Sequence, residues 1–157
     1  NIAHAPHRVR RLSFGAGDFS LDMNIRWTMQ EDELDYARAK IATASRAARL
    51  ESPLDTVFIH LGVLEGLRSS SERARNFGFQ GKLCIHPEQI EPVNQVFSPS
   101  SEEIEQAQKY VDAFTAAEAS GSASIQVEGY FIDYPIVEKA RRTLDVAKAI
   151  EQSRHRV

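Results

Sequence analysis

Sulfur, long apolar runs and an excess of either charge are what this chain lacks. Its one cysteine, Cys84, cannot form a disulfide within the chain. A lone thiol inside the apolar run "KLCIHP" fits a reducing, cytoplasmic compartment and a packing role. No stretch approaches the ~18 consecutive apolar residues of a membrane span, and no signal-peptide pattern opens the sequence, which sets a membrane partner aside. Lys and Arg number 19 against 22 Asp and Glu, a net charge of −3, so nothing draws the chain as a whole to nucleic acid. The basic ends "HAPHRVRR" and "SRHRV" are short and read as solvated termini. Zinc-type H-x-x-x-H or C-x-x-C spacing and the phosphate-binding G-x-x-x-x-G-K-[ST] loop are absent as well.

What is present is an ordinary globular composition, 42% hydrophobic and 26% charged over 157 residues, enough for a sizeable core. Residues 9–14 read as a short strand ending in Gly15-Ala16-Gly17, followed by Asp18. A domain seldom opens so abruptly on a core strand, so the chain is expected to be part of something longer. A helix is predicted after Thr28, with Thr28 and Glu31 as a capping box and Leu34, Ala37, Ile41, Ala44 and Ala48 on one face. A β-rich run covers Thr56 to Leu61, then a helix from about Leu64 to Asn76 with Gly78 as its stop. "GKLCIHP" supplies a third strand, ended by Pro87. Strand, helix, strand, helix, strand predicts parallel βαβ units.

The remainder changes character. Ser100 and Glu103 form a second capping box ahead of a stripe of Ile104, Ala107, Val111 and Phe114. "SGSAS" ends that helix, a hairpin or extended segment turns at Gly129, and a last helix runs from about Pro135 to Gln152, led in by Asp133.

In parallel α/β architectures, functional groups sit where strands end and loops begin. Asp18, His60 and His86 occupy such points on three successive strands. Each also has a structural role open to it: an Asx-turn for Asp18, a backbone-satisfied interior histidine for His60, a turn before proline for His86. "FGAGDFS" lacks the third glycine and the directly following helix of a dinucleotide fingerprint. A lone carboxylate in an open strand-end loop suits half of a Mg²⁺ site, because that ion takes one or two carboxylates and fills its shell with other oxygens.

Three segments, "LSFGAGDFSLDM", the long run from "LDTVFIHLGVLEGL" through "GFQGKLCIHPEQI", and "VEGYFIDYPIVEKARRTL", resemble the citrate lyase β-subunit-like and malyl-CoA lyase family of the wider HpcH/HpaI aldolase group. The resemblance covers nearly the whole chain and falls on the C-terminal half of such proteins. It implies an α/β fold: the last three strands of a (β/α)₈ TIM barrel over 1–97, then a C-terminal helical extension or lid over 98–157. It also implies a lyase that cleaves or forms a carbon–carbon bond in 3-hydroxyacyl-CoA thioesters of the malyl-, citramalyl- or citryl-CoA type. Mg²⁺ (or Mn²⁺) would be held by Asp18 and by a Glu on the preceding strand, before Asn1. Asp133, in the "G-x-x-x-D-x-P" segment, would be the acid or base, donated over a neighbouring subunit's site in a homo-oligomer, trimer or hexamer. Lys82 and His86 are candidates for the CoA or substrate mouth. Asp133 is equally suited to capping the last helix. His60 and Gly62-Val63 stand where relatives often carry acids, and Trp27 either lines a pocket or covers the following helix. A thioesterase on malyl-CoA-like substrates and a non-catalytic assembly subunit remain alternatives. The chain by itself, lacking the paired Glu and exposing a strand edge at 9–14, is expected to be inactive and poorly soluble.

Overall fold

Three extended segments run parallel, held by a row of backbone bonds centred on Leu54. Ser13 pairs with Leu54 in an isolated bridge, and Leu54 pairs in turn with Gly81. The Phe14 N–H donates to the Leu54 carbonyl at 3.0 Å, the Leu54 N–H to Leu12 at 3.0 Å, and the Leu83 N–H to Asp55 at 3.0 Å. The computed structural model describes Ala3 and residues 8–154. The basic-terminus reading therefore lies largely outside the described residues, at 4–7 and 155–157.

Regular pairing is shorter than the apolar runs. β1 covers Leu54–Asp55, just ahead of the β-rich run expected at Thr56–Leu61, and β2 covers Gly81–Lys82, where strand character was expected through His86. Of the two apolar runs only Gly81 and Lys82 lie in a parallel ladder, and Thr56–Leu61 lies beyond β1 without strand pairing among the described residues. Ile59, Leu61, Leu83 and Ile85 are correspondingly exposed. Cys84, expected inside, is exposed for the same reason.

Helices α1 (Ala16–Asp22), α2 (Asp35–Ala47), α3 (Leu64–Asn76) and α4 (Ile90–Phe97) complete this first unit, which ends at Phe97. α3 has the predicted ends, with Gly78 past them at φ +90°, a conformation only glycine adopts freely. α2 does not start as expected. Half of the predicted box is made, the Thr28 hydroxyl accepting the Glu31 N–H at 3.3 Å, and the Thr28 N–H and hydroxyl donate to the two Glu33 oxygens at 2.5 and 2.9 Å. The Glu31 carboxylate is drawn inward instead, toward Arg38 and Ser70. Arg73 of α3 then clamps the head of α2, donating to both oxygens of Asp35 at 2.6 and 2.5 Å and to Asp32 at 2.5 Å. The core is Phe14, Ala16, Leu34, Ala37, Ala74 and Phe79, with a second cluster of Phe58, Leu67 and Val93.

The second unit begins at Ser98. Its α5 (Ser101–Ala119) opens with the predicted Ser100–Glu103 capping box, both halves formed. β3 (Ser124–Val127) and β4 (Tyr130–Asp133) pair antiparallel, Ser124 opposite Asp133. The two residues between them, Glu128 and Gly129, have φ of 50° and 85°, the handedness that a two-residue hairpin needs. α6 (Tyr134–Arg154) follows directly, and Phe114, Ile132 and Val137 form the core beneath Tyr110 and Val111. Among the described residues no helix is long and apolar enough to cross a membrane.

Candidate active site

Asp18, His60 and His86 lie past the same end of the parallel row, five residues after Ser13, six after Leu54 and five after Gly81. The structure therefore carries them to one end of the three segments, although they belong to different βα units.

Asp18 stands in the first turn of α1. That helix begins at Ala16, directly after the extended segment, where a loop was expected. The hydroxyl of buried Thr56 supplies the reason: it accepts the Ala16 N–H at 3.0 Å and pins the helix start to the chain beyond β1. Phe19 then packs edge-on against Phe14, ring centroids 5.6 Å apart. The Asp18 side chain is exposed and makes no hydrogen bond or ion pair with another described residue. Gly15 has φ −109° and a Cβ there would meet only Asp18 Oδ2, at 3.8 Å. At Gly17 it would meet only the Trp27 ring, at 3.9 Å. The fold of this chain thus demands glycine at neither position.

His60 and His86 are brought together around a cavity of about 10 Å³, bounded also by Gly62, Glu88 and Gln89. That volume is of the order of one water molecule. Gln89 is buried and ties the two strand ends, accepting the Ile85 N–H at 2.9 Å and donating to the Phe58 carbonyl at 2.9 Å. His86 accepts the Glu88 N–H through Nδ1 at 3.3 Å, so its neutral ring carries the proton on Nε2. His60 is held edge-on by Phe58 at 5.4 Å, and its buried Nε2 has no hydrogen-bond partner among the described residues, contrary to the backbone-satisfied role considered for it.

Lys82 is placed differently. It is the second residue of β2, beside Asp55 in the parallel register, and its fully buried ammonium donates to Asp55 Oδ2 at 2.7 Å. Arg38 of α2 grips the same carboxylate through Nε and Nη2, both at 3.0 Å, and reaches Glu31 at 2.5 Å. Ser70 also donates to Glu31, at 2.7 Å. Burial alone pulls the Arg38 guanidinium's pKa down, but the bonds and charges of Asp55 and Glu31 outweigh it and raise it above its usual value. Two cations and two anions thus neutralise one another inside the unit. Sequence reasoning passed over Arg38 and Asp55 and gave Glu31 only a helix-capping role. The signal was an arginine within the apolar stripe of α2 and an acid opening a β-rich run, each needing a buried counter-charge.

Asp133 closes β4 in the second unit. Its Oδ1 accepts the Ile136 N–H at 3.3 Å, capping α6. Oδ2 has no hydrogen-bond partner among the described residues. No group of three or more His, Cys, Asp or Glu side chains among the described residues is arranged to hold a metal ion. Partial burial pushes the Cys84 thiol pKa up despite the nearby Lys82 charge, which disfavours the thiolate.

Comparison with known proteins gives these positions a context. The citrate lyase subunit beta of Leuconostoc mesenteroides subsp. cremoris is 37% identical over 148 residues, covering 94% of this chain and 49% of that protein. The (3S)-malyl-CoA thioesterase of Cereibacter sphaeroides is 35% identical over 143 residues, 91% of this chain and 50% of its own. The chain thus spans about half the length of the curated relatives it matches. The crystal structure of CitE from Mycobacterium tuberculosis, in complex with magnesium, acetoacetate and coenzyme A, superposes with a TM-score of 0.77 at 27% identity, covering 94% of this chain and 55% of that one. The HpcH/HpaI aldolase/citrate lyase family model matches residues 1–87, and the chain belongs to that family.

Proposed function

We propose that these residues form part of a Mg²⁺-dependent carbon–carbon lyase for 3-hydroxyacyl-CoA thioesters of the malyl-, citramalyl- or citryl-CoA type. The observation that carries the reading is Asp18: an exposed carboxylate with no partner among the described residues, beside two glycines the fold does not require, at the end of the parallel row. A hard cation fits that donor, since Mg²⁺ takes one or two carboxylates and completes its shell with water and substrate oxygens. The second carboxylate is assigned to a Glu on the preceding strand, outside this sequence. Bound there, the ion would supply Lewis-acid polarisation of the substrate's oxygens.

The chain's own residues divide the remaining work. Gly15 and Gly17 leave room for substrate against the α1 turn. His86 offers its Nε2 proton as a donor at the mouth, for the CoA or acid portion of the substrate. Lys82 acts from below, holding the strand starts through Asp55 rather than touching ligand. Asp133 moves the carbon-bound proton: with Oδ1 kept on the Ile136 N–H, Oδ2 gives a proton to the thioester α-carbon as the carbon–carbon bond breaks and the substrate's hydroxyl proton leaves to solvent, and the reverse direction runs both transfers backwards. Residues up to Phe97 are read as the last three strands of a (β/α)₈ barrel with their helices. The unit from Ser98 is read as a lid over a neighbouring subunit's site in a cytoplasmic homo-oligomer, trimer or hexamer.

The test uses the full-length polypeptide that carries the upstream strands. Given malyl-, citramalyl- or citryl-CoA and Mg²⁺, it should release acetyl-CoA with glyoxylate, pyruvate or oxaloacetate, and Asp18→Asn should abolish that release. The likeness to a malyl-CoA thioesterase supports a second reading, told apart by its products: free CoA thiol and malate. Absence of both product sets would leave the non-catalytic assembly role.

A further inference from the structure

The side chain nearest Gly17, one residue before Asp18, is that of Trp27, the sole tryptophan of the sequence. It is half-buried and packs on the cluster of Phe14, Ala16 and Leu34. A Cβ at Gly17 would lie 3.9 Å from its Cζ3, so the six-membered ring backs the first turn of α1, one residue before Asp18. Its indole Nε1–H donates to Glu31 Oε1 at 3.4 Å. The other oxygen of Glu31 accepts from Arg38 at 2.5 Å and Ser70 at 2.7 Å. Glu31 itself is 1% exposed, with a left-handed backbone at φ 58°, ψ 22° that L side chains disfavour. A residue kept in that conformation with both carboxylate oxygens engaged is a fixed anchor, and the indole is hung from it.

We infer that Trp27 is a positioning residue for Asp18: the Glu31-anchored indole holds the α1 turn from behind while Thr56 holds its head, setting the carboxylate where the metal is taken. The inference rests on the reading of Asp18 as a metal ligand. A tryptophan that merely covered the core would need only its apolar area, which phenylalanine largely supplies. A positioning tryptophan uses the N–H as well, so removing it loosens the carboxylate without emptying the core. Occupation of Asp18 by a cation then reaches the ring, because the turn between them is one residue long.

The full-length protein is labelled with 5-fluorotryptophan, and the Trp27 resonance is assigned by its loss in Trp27→Phe. Mg²⁺ is titrated against this ¹⁹F signal, and Mn²⁺ affinity is measured separately by electron paramagnetic resonance. The Trp27 resonance should shift with Mg²⁺ in the wild type and stay fixed in Asp18→Asn. Trp27→Phe should bind Mn²⁺ about tenfold more weakly, the lower end of what supporting groups around a metal contribute. A wild-type protein that binds Mn²⁺ while its Trp27 resonance never moves overturns the inference, as does a folded Trp27→Phe with unchanged Mn²⁺ affinity. In both of those cases Asp18→Asn still loses the metal, so the Asp18 reading survives. An Asp18→Asn protein that binds Mn²⁺ like the wild type sinks both. Should Trp27→Phe not fold, the wild-type titration decides.

Discussion

Arg38 and Asp55 meet through two parallel hydrogen bonds of 3.0 Å, with both side chains fully excluded from solvent. The pair joins α2 to β1 and, through Lys82, to β2, so one carboxylate fastens two neighbouring parallel segments to a helix. A bidentate guanidinium–carboxylate contact is among the stronger ones available, because both bonds are charge-assisted and the geometries match. Removing one member leaves charges stranded in the interior.

Asp55→Ala should therefore lower stability by about 3–5 kcal/mol, the range for breaking a buried pair. Lys82→Met should lower it less, since Arg38 still holds both Asp55 oxygens. Chemical denaturation of the full-length protein reads the order directly. Lys82→Met is also expected to leave the KM for the CoA ester unchanged; a large rise in KM would return Lys82 to the substrate mouth.

Gly66 in α3 makes a packing prediction. A Cβ there would lie 2.8 Å from Phe58 Cζ and 3.3 Å from both Met29 Sδ and Val63 Cγ1. Phe58 is 1% exposed and cannot withdraw. Overpacking of this kind costs about 1–3 kcal/mol, against a helix-propensity gain of about 1 kcal/mol for Ala over Gly. Gly66→Ala should be net destabilising, with a lower denaturant midpoint at constant slope. Adding Phe58→Leu should recover part of the loss, and strict additivity of the two changes would count against the contact.

Much of this architecture was legible because local rules and tertiary packing agree. The α3 boundaries follow from its apolar spacing and Gly78, and the α5 start from Ser100 and Glu103. The failures share one cause. Thr28 and Glu31 fit a capping box by spacing and the Thr28 hydroxyl accepts the Glu31 N–H, yet the Glu31 carboxylate answers to Arg38 and Ser70, partners seven and 39 residues away. α1 was invisible because a seven-residue helix headed by glycines has little propensity of its own and depends on Thr56, 40 residues on. Strand lengths were overread because apolar and β-branched runs carry β-propensity, while pairing also requires a neighbour. At the strand ends, residue types and positions could be read, but the Gln89 clip and the orphaned His60 Nε2 could not.

The Thr28–Glu33 contact ahead of α2 predicts a pH dependence. Burial by itself would raise the Glu33 pKa. Hydrogen bonds from the Thr28 N–H, its own N–H and the Thr28 hydroxyl, with Arg73 nearby, outweigh burial and hold the group below its ordinary 4.5. The unfolded chain then binds more protons than the folded one between the folded value and 4.5, so stability rises with pH across that window. The contribution is complete above about pH 4.5 and is lost as pH falls through the folded value. Glu33→Gln should flatten the acid limb of a plot of melting temperature against pH. An acid limb of unchanged slope would mean that other carboxylates govern it.

Asp133 is assigned two roles, and two substitutions separate them. Asn keeps a side-chain oxygen for the Ile136 N–H but cannot carry the proton, whereas Ala supplies neither. Asp133→Ala should lose about 1 kcal/mol of stability, as for other N-cap truncations. Asp133→Asn should melt close to the wild type. If Asp133 is the acid or base, both variants should lose carbon–carbon cleavage to a similar degree, with little change in Mn²⁺ affinity because the metal is assigned to Asp18. Turnover that survives in Asp133→Asn would reduce the residue to a helix cap. Deuterium incorporation into the acetyl-CoA methyl, followed in D₂O, checks the proton transfer itself: it should stop in both variants and persist only where Asp133 remains.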